Sequence, residues 1–155
     1  MRVQKKINIQ NKKARFEFEI LDKYTAGIQL TGTEIKSIRE SKARITESFC
    51  EFNDRGELFI VNMYIEEYSF GHHFNHKTNS ERRLLLNKRE LRSLKKDVEA
   101  KGNTIVPLRL FLNENGWAKL EIALAKGKNT HDKRESIKDR DSKRDLARIK
   151  KTFNA

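Results

Sequence analysis

The last thirty residues, KGKNTHDKRESIKDRDSKRDLARIKKTFNA from Lys126 onward, limit what the rest of the chain can be. They hold eleven Lys or Arg against five Asp or Glu, a net +6 and half of the chain's +12. Their only sizeable apolar residues are Ile137, Leu146, Ile149 and Phe153, too few to offset the entropy lost on ordering. This stretch, 126–155, is expected to be a mobile basic arm when the protein is free. The remaining chain, about 125 residues, is enough for one modest hydrophobic core.

The arm nevertheless carries a pattern. Leu146, Ile149 and Phe153 fall at i, i+3 and i+7, along one side of a helix whose other sides are charged, so the segment is conditionally amphipathic. Residues 132–151 would span roughly 30 Å as a helix, and the whole arm on the order of 90 to 100 Å when extended. Such reach suits a probe inserted into a large anionic assembly; the plainer reading is a solvated tail that raises affinity for any polyanion.

A sequence pI near 9.9 and a mean hydropathy of −0.83 point to an anionic partner. The N-terminus, MRVQKKINIQNKKAR, is basic and has no apolar stretch of signal-peptide type, and no run of 18 apolar residues occurs anywhere. The expectation is a cytoplasmic protein with no membrane partner. Neither basic end has the broad Trp, Phe and Leu face that an anionic lipid surface would require, so nucleic acid is the expected partner. A single cysteine, Cys50, excludes an internal disulfide and any cysteine-clustered metal site.

Between the basic ends, local signals predict a mainly β domain over 14–125, preceded by a basic segment, 1–13. Phe16, Phe18 and Ile20 alternate with Arg15, Glu17 and Glu19, the period of a half-buried strand, and 22–27 reads as a turn. Thr31 or Thr33 can cap a short helix with Ile35 and Ile38 on one side. Residues 45–52 and 58–65 look like a hairpin around Asn53-Asp54-Arg55-Gly56, and 66–83 like a long surface loop. Asn87 with Glu90 makes a capping box for a helix carrying Leu91, Leu94 and Val98, with Gly102 placed to end it. Strands over 105–112 and 117–125 flank Asn113-Glu114-Asn115-Gly116, and Pro107 argues for an edge or strand end. The sum is an α+β chain of five or six antiparallel strands with two or three helices, most simply a small closed barrel.

No catalytic constellation emerges, and no cofactor is implied. His72, His73 and His76 are the only clustered metal-ligand types, and they lack a second cluster to complete a site. The carboxylates lie on exposed strand faces or in the arm, where they cannot hold the fixed geometry of a metal-dependent nuclease. RNA binding fits better: phosphates can follow Lys and Arg, and Tyr68, Phe70 and Phe74 in the long loop can stack on unpaired bases.

Three groups of stretches resemble one family. NKKARFEFEI and AGIQLTGTEIKSIRESKA near the start, RRLLLNKREL in the middle, and AKGKNTHDKRESIKDRD with LARIKK at the end occur in the order and spacing of the SsrA-binding protein (SmpB) family. The resemblance covers nearly the whole chain and is carried by the combination. It implies an oligonucleotide-binding-type barrel and a non-enzymatic role as partner of transfer-messenger RNA in bacterial ribosome rescue. The barrel would hold the tRNA-like part of that RNA, while the arm would enter the empty mRNA channel of a stalled ribosome, against 16S ribosomal RNA, and become helical there. A monomer acts.

Carried over by motif, Asn11 and Leu85 are expected at the RNA-binding surface, and Lys12, Lys13, Thr25, Arg82 and Arg83 are expected beside them. Lys126, Lys128, His131, Asp132, Lys133, Arg134, Ile149 and Lys150 are expected in the ribosome-binding tail. The chain departs from the pattern at Thr25, where relatives commonly carry glutamate, at Ser80, where many have arginine, and at Ser142, where an aromatic is frequent. The competing expectation is a general RNA-binding or ribosomal structural protein whose basic ends merely neutralise phosphate.

Overall fold

Two ten-residue strands, β8 (Asn103–Leu112) and β9 (Ala118–Gly127), form one of the two longest antiparallel pairs in the computed structural model, which describes residues 6–128. Their turn is fixed locally. The Asn113 side-chain oxygen accepts from the backbone N–H groups of Asn115 and Trp117 at 3.0 and 2.9 Å, and Gly116 supplies the positive φ of 81° that the turn needs.

The other elements, in chain order, are β1 (Asn8–Gln10), α1 (Lys12–Glu17), β2 (Phe18–Ile28), α2 (Gly32–Arg39), β3 (Ala43–Arg44), β4 (Phe49–Phe52), β5 (Leu58–Val61), β6 (Tyr64–Ile65), β7 (Arg82–Leu85) and α3 (Lys88–Val98). β2 lies along the free edge of β9, from Phe18 opposite Gly127 to Gly27 opposite Lys119. Its last residues pass to β7, Gly27 pairing Leu85 and Ile28 pairing Leu84. β7 continues to β5, β5 to β4, and β4 returns to β8 at Cys50 and Ile105. Six strands therefore close a ring with no free edge. β1 joins the remaining length of β8, Asn8 to Gln10 against Phe111 to Arg109. β3 and β6 make a separate short pair. This is the antiparallel oligonucleotide-binding-type barrel, with three helices, that the sequence predicts.

Two irregularities decide which side chains face inward. The register slips between Ile20 and Asp22 in β2 and between Pro107 and Arg109 in β8. A one-residue slip moves every later side chain to the other face. Before the slips, Phe18, Ile20, Val106 and Leu108 pack with Ala14 of α1 and with Ala123 and Ala125 in a small outer cluster. Beyond them, Tyr24, Ala26, Ile28 and Leu110 join Leu58, Ile60, Leu84, Ile105, Leu120 and Ile122 in the main core.

The structure corrects several expectations. Residues 12–17 are helical, not the start of a strand, because Asn11 caps them and Ala14 docks on β8; 22–27 is continuous strand, not a turn. Pro107 is not at a strand end: it lies within β8 opposite Ile122 of β9, and on its other side it falls in the gap between the β4 partner at Ile105 and the β1 partner at Arg109, where no strand needs its missing N–H. Gly102 has the positive φ of 85° but lies beyond the end of α3, whose C-cap is Glu99, so it turns the chain into β8. The folded unit also exceeds 14–125: β1 precedes it and β9 runs to Gly127. The expected arm beyond Lys128, with His131, Asp132, Lys133, Arg134, Ile149 and Lys150, lies outside the described residues.

Candidate nucleic-acid interface

Strand side chains alternate in and out, so register determines which residues stand side by side on the barrel's outer surface. One row crosses five strands as Asn8, Phe111, Lys119, Gly27 and Leu85; the next is Gln10, Arg109, Glu121 and Thr25. Leu85 is 50% exposed, unusual for a leucine inside a strand. Its room comes from Gly27: a Cβ there would stand 3.3 Å from the Leu85 Cβ. Arg83, two residues before Leu85, also faces out and is held 3.0 Å from Glu57.

The second row is electrostatically organised. Arg109 Nε donates to Glu121 Oε2 at 2.9 Å, and the guanidinium lies 4.1 Å from the Phe111 ring centroid, a cation–π arrangement that holds it flat. Thr25 faces Glu121 across the strand pair. Glu121 therefore sets a carboxylate beside Thr25 on the neighbouring strand. Lys119 forms no ion pair among the described residues.

Two of the expected contact residues are structural. Asn11 is buried: its Nδ2 donates to the Pro107 carbonyl at 3.0 Å, its Oδ1 accepts from Ala14 N at 3.3 Å, and its own N–H bonds Leu108 O at 2.8 Å. It caps α1 and ties it to β8. Arg82 is also buried, and the adjacent arginines divide roles by strand parity. Its Nε donates to Glu34 Oε2, and its two amino groups donate to the carbonyls of Met63, Lys77 and Thr78. All three guanidinium nitrogens are engaged and Arg82 is only 3% exposed, whereas Arg83 faces solvent.

Lys12 and Lys13 stand exposed on α1 beyond that cap. Lys13 bonds Glu47 and lies 3.8 Å from Glu17; the Glu47 hydrogen bond and charge raise its pKa above the ordinary lysine value, keeping the ammonium charged. Lys126 and Lys128, expected in the tail, belong to the barrel's end. Lys126 is in β9 opposite Glu19, and Lys128 donates its backbone N–H to Glu17 O at 3.0 Å.

The long loop is pinned rather than loose. Asn75 bonds both the N–H and the carbonyl of Tyr68, at 3.0 and 2.7 Å. His76 sits between Ile65 O at 3.0 Å and Thr33 Oγ1 at 2.9 Å. A carbonyl only accepts, so Nε2 carries the proton, and in the neutral ring Nδ1 accepts from the threonine hydroxyl. His76 is thus a structural residue, not a solvent or phosphate contact. Phe70 and Phe74 are 72% and 91% exposed. Among the described residues no group of three or more His, Cys, Asp or Glu is placed to hold a metal, and no helix is long and apolar enough to cross a membrane.

Sequence reasoning missed Arg109, Phe111 and Lys119. Their signal is the alternation of Arg109 and Phe111 with Leu108 and Leu110, and of Lys119 and Glu121 with Ala118, Leu120 and Ile122. The pattern marks an outer face without saying that it adjoins Leu85.

A closed antiparallel barrel presenting adjacent rows of arginine, lysine and exposed apolar side chains is an oligonucleotide-binding-type module. The "SmpB protein" family model matches residues 8–152. The chain is 69% identical to the SsrA-binding protein of Flavobacterium psychrophilum, over 96% of this chain and 99% of that one, and 54% identical to that of Bacteroides thetaiotaomicron, over 94% and 97%. A solved chain described as tmRNA–SmpB on a journey to the center of the bacterial ribosome superposes with a TM-score of 0.67 at 45% identity, covering 84% of this chain and 94% of the other. The chain belongs to the SmpB family.

Proposed function

We propose that this chain is the RNA-binding adaptor of ribosome rescue. It binds the tRNA-like domain of transfer-messenger RNA on the outer rows of the barrel and delivers that RNA to stalled ribosomes for trans-translation. It acts in the cytoplasm as a monomer and without catalysis. The observation that carries the reading is the reach of the family match, which extends from β1 through the barrel and along the arm to residue 152. A barrel alone would suit any RNA binder; the barrel together with this arm suits an adaptor with two anionic partners.

On this reading Leu85, Arg83, Lys12, Lys13 and Lys119 face the RNA. Asn11 positions α1, and Arg82 holds the fold behind that surface. Residues His131, Asp132, Lys133 and Arg134 would meet ribosomal RNA near the decoding centre, with Ile149 and Lys150 on the helix that forms in the mRNA channel. Ordering entropy is then lost only where a ribosomal surface compensates it.

The test is the dissociation constant for the tRNA-like domain, an ordinary tRNA and an unrelated hairpin across a salt series. A preference for the first that persists as salt rises supports the adaptor; equal affinities that fall together would mean a general polyanion binder. Truncation before His131 should leave affinity for the tRNA-like domain largely intact and abolish peptide tagging on stalled ribosomes.

A further inference from the structure

At the end of the barrel where β2 leads into α2, the tip of the β8–β9 hairpin leaves an apolar slot of about 270 Å³. Ile28, Leu30, Ile35 and Ala118 line it together with Trp117 and Arg39. Trp117 is the chain's only tryptophan and is 71% exposed. Its place is fixed from below, since Asn113 holds the Trp117 backbone N–H and the buried Gly116 makes the turn. Neither the indole N–H nor the Arg39 guanidinium has a hydrogen-bond or ion-pair partner among the described residues. Nothing among the described residues covers the ring, and a flat partner seated on it would gain apolar contact.

Charge selects that occupant. No carboxylate lines this slot, and Arg39 is its one charged residue. The other open concavities do carry acids: Glu66 and Glu67 beside the Tyr68 loop, and Glu57 and Glu81 in the cleft near Arg83. The volume is below the roughly 300 Å³ at which pockets for drug-sized ligands begin, which suits one flat ring system. The slot also adjoins the RNA-facing row, because Ala118 precedes Lys119 on β9 and Ile28 follows Gly27 on β2.

We infer that the slot receives one unpaired RNA base, stacked on the Trp117 indole, with Arg39 engaging the adjoining phosphate. Stacking on an aromatic side chain is tolerant of base identity, and a guanidinium suits phosphate at short range. This deepens the RNA-binding reading by adding a single-strand subsite to the barrel, and it rests on RNA being the partner.

The lone tryptophan is its own reporter. The full chain is titrated with hexa-adenylate and, separately, with the tRNA-like domain, following indole emission for the parent and Arg39→Ala, and affinity by filter binding of labelled RNA for the parent, Trp117→Ala, Trp117→Phe and Arg39→Ala. Saturable quenching of the parent by both RNAs is expected. Trp117→Ala should weaken both by roughly tenfold to a hundredfold, and Trp117→Phe should restore most of the loss. Arg39→Ala should weaken binding and reduce the salt slope by about one. Thermal melts should stay unchanged, because both side chains are exposed. Unaltered emission, or undiminished affinity in Trp117→Ala, would overturn the inference. So would an emission shift that grows with protein concentration without RNA, which would seat a second copy there. Hexa-adenylate quenching without any preference for the tRNA-like domain would keep the slot and sink the adaptor reading instead.

Discussion

Arg82 and Glu34 meet inside the protein with side chains only 2% and 5% exposed, the guanidinium Nε donating to Glu34 Oε2. The pair joins β7 to α2, and each partner does a second job. Glu34 Oε1 accepts the Thr31 N–H at 2.9 Å and so closes the start of α2. Arg82 gathers the carbonyls of Met63, Lys77 and Thr78, which fixes where the long loop returns to the barrel. A buried charge is tolerated when it is paired and hydrogen-bonded, and here all three guanidinium nitrogens have acceptors.

Removing one partner should therefore unfold rather than merely weaken binding. Arg82→Ala leaves a buried carboxylate and three carbonyls without their donor, and a loss of about 3 to 5 kcal/mol is expected in urea titration. The double replacement Arg82→Met with Glu34→Leu should lose less than Arg82→Ala alone, although it also gives up the α2 cap. Arg82→Ala retaining full stability while losing RNA affinity would restore Arg82 to the contact surface.

Adjacent leucines give the sharpest separation of stability from binding. Leu84 is 2% exposed in the core, so Leu84→Ala should destabilise by about 2 to 5 kcal/mol. Leu85 points outward, so Leu85→Ala should change stability by less than about 1 kcal/mol yet weaken binding of the tRNA-like domain. Thermal melts paired with an RNA titration decide it; equal stability losses would mean that Leu85 is packing, not interface.

The contrast between these neighbours shows where sequence reading succeeds and stops. Features set by a few consecutive residues were legible: the Asn87 and Glu90 capping box of α3, and the hairpin turns at Asn53–Gly56 and Asn113–Gly116. Features set by distant partners were not. Phe16, Phe18 and Ile20 alternate like a strand, yet Asn11 and the β8 surface recruit 12–17 into a helix. In RRLL, parity requires that one arginine face in and one out, but which one depends on Glu34, 48 residues away. Closure of the ring depends on β2 passing from β9 to β7 at Gly27, which no local pattern announces.

Asn11 makes a test of positioning. Asn11→Ala removes the α1 cap and the bond to Pro107 O, and should destabilise by about 1 to 3 kcal/mol. Asn11→Asp keeps the cap acceptor but sets a carboxylate against that carbonyl, so it should recover only part of the loss. RNA affinity should follow the same order, because Lys12 and Lys13 ride on α1. Loss of RNA binding in Asn11→Ala at unchanged stability would show direct contact instead.

Cys50 predicts an alkaline limit. The thiol is buried on β4, and loss of solvation pushes its pKa above the ordinary value of 9.0. The folded state therefore holds the proton where the unfolded state releases it. This stabilising contribution is complete below pH 9 and declines as pH rises above it, by up to about 1.4 kcal/mol per pH unit. Urea unfolding at pH 7, 9 and 10.5 should show Cys50→Ala less stable at neutral pH, from the cavity, but losing stability less steeply on the alkaline side, since lysines and tyrosines titrate alike in both proteins. Iodoacetamide at pH 8 should modify the native thiol only as fast as the barrel opens. Parallel pH curves for the two proteins, or rapid labelling of the native state, would mean that the β4 and β8 edges at Cys50 admit water.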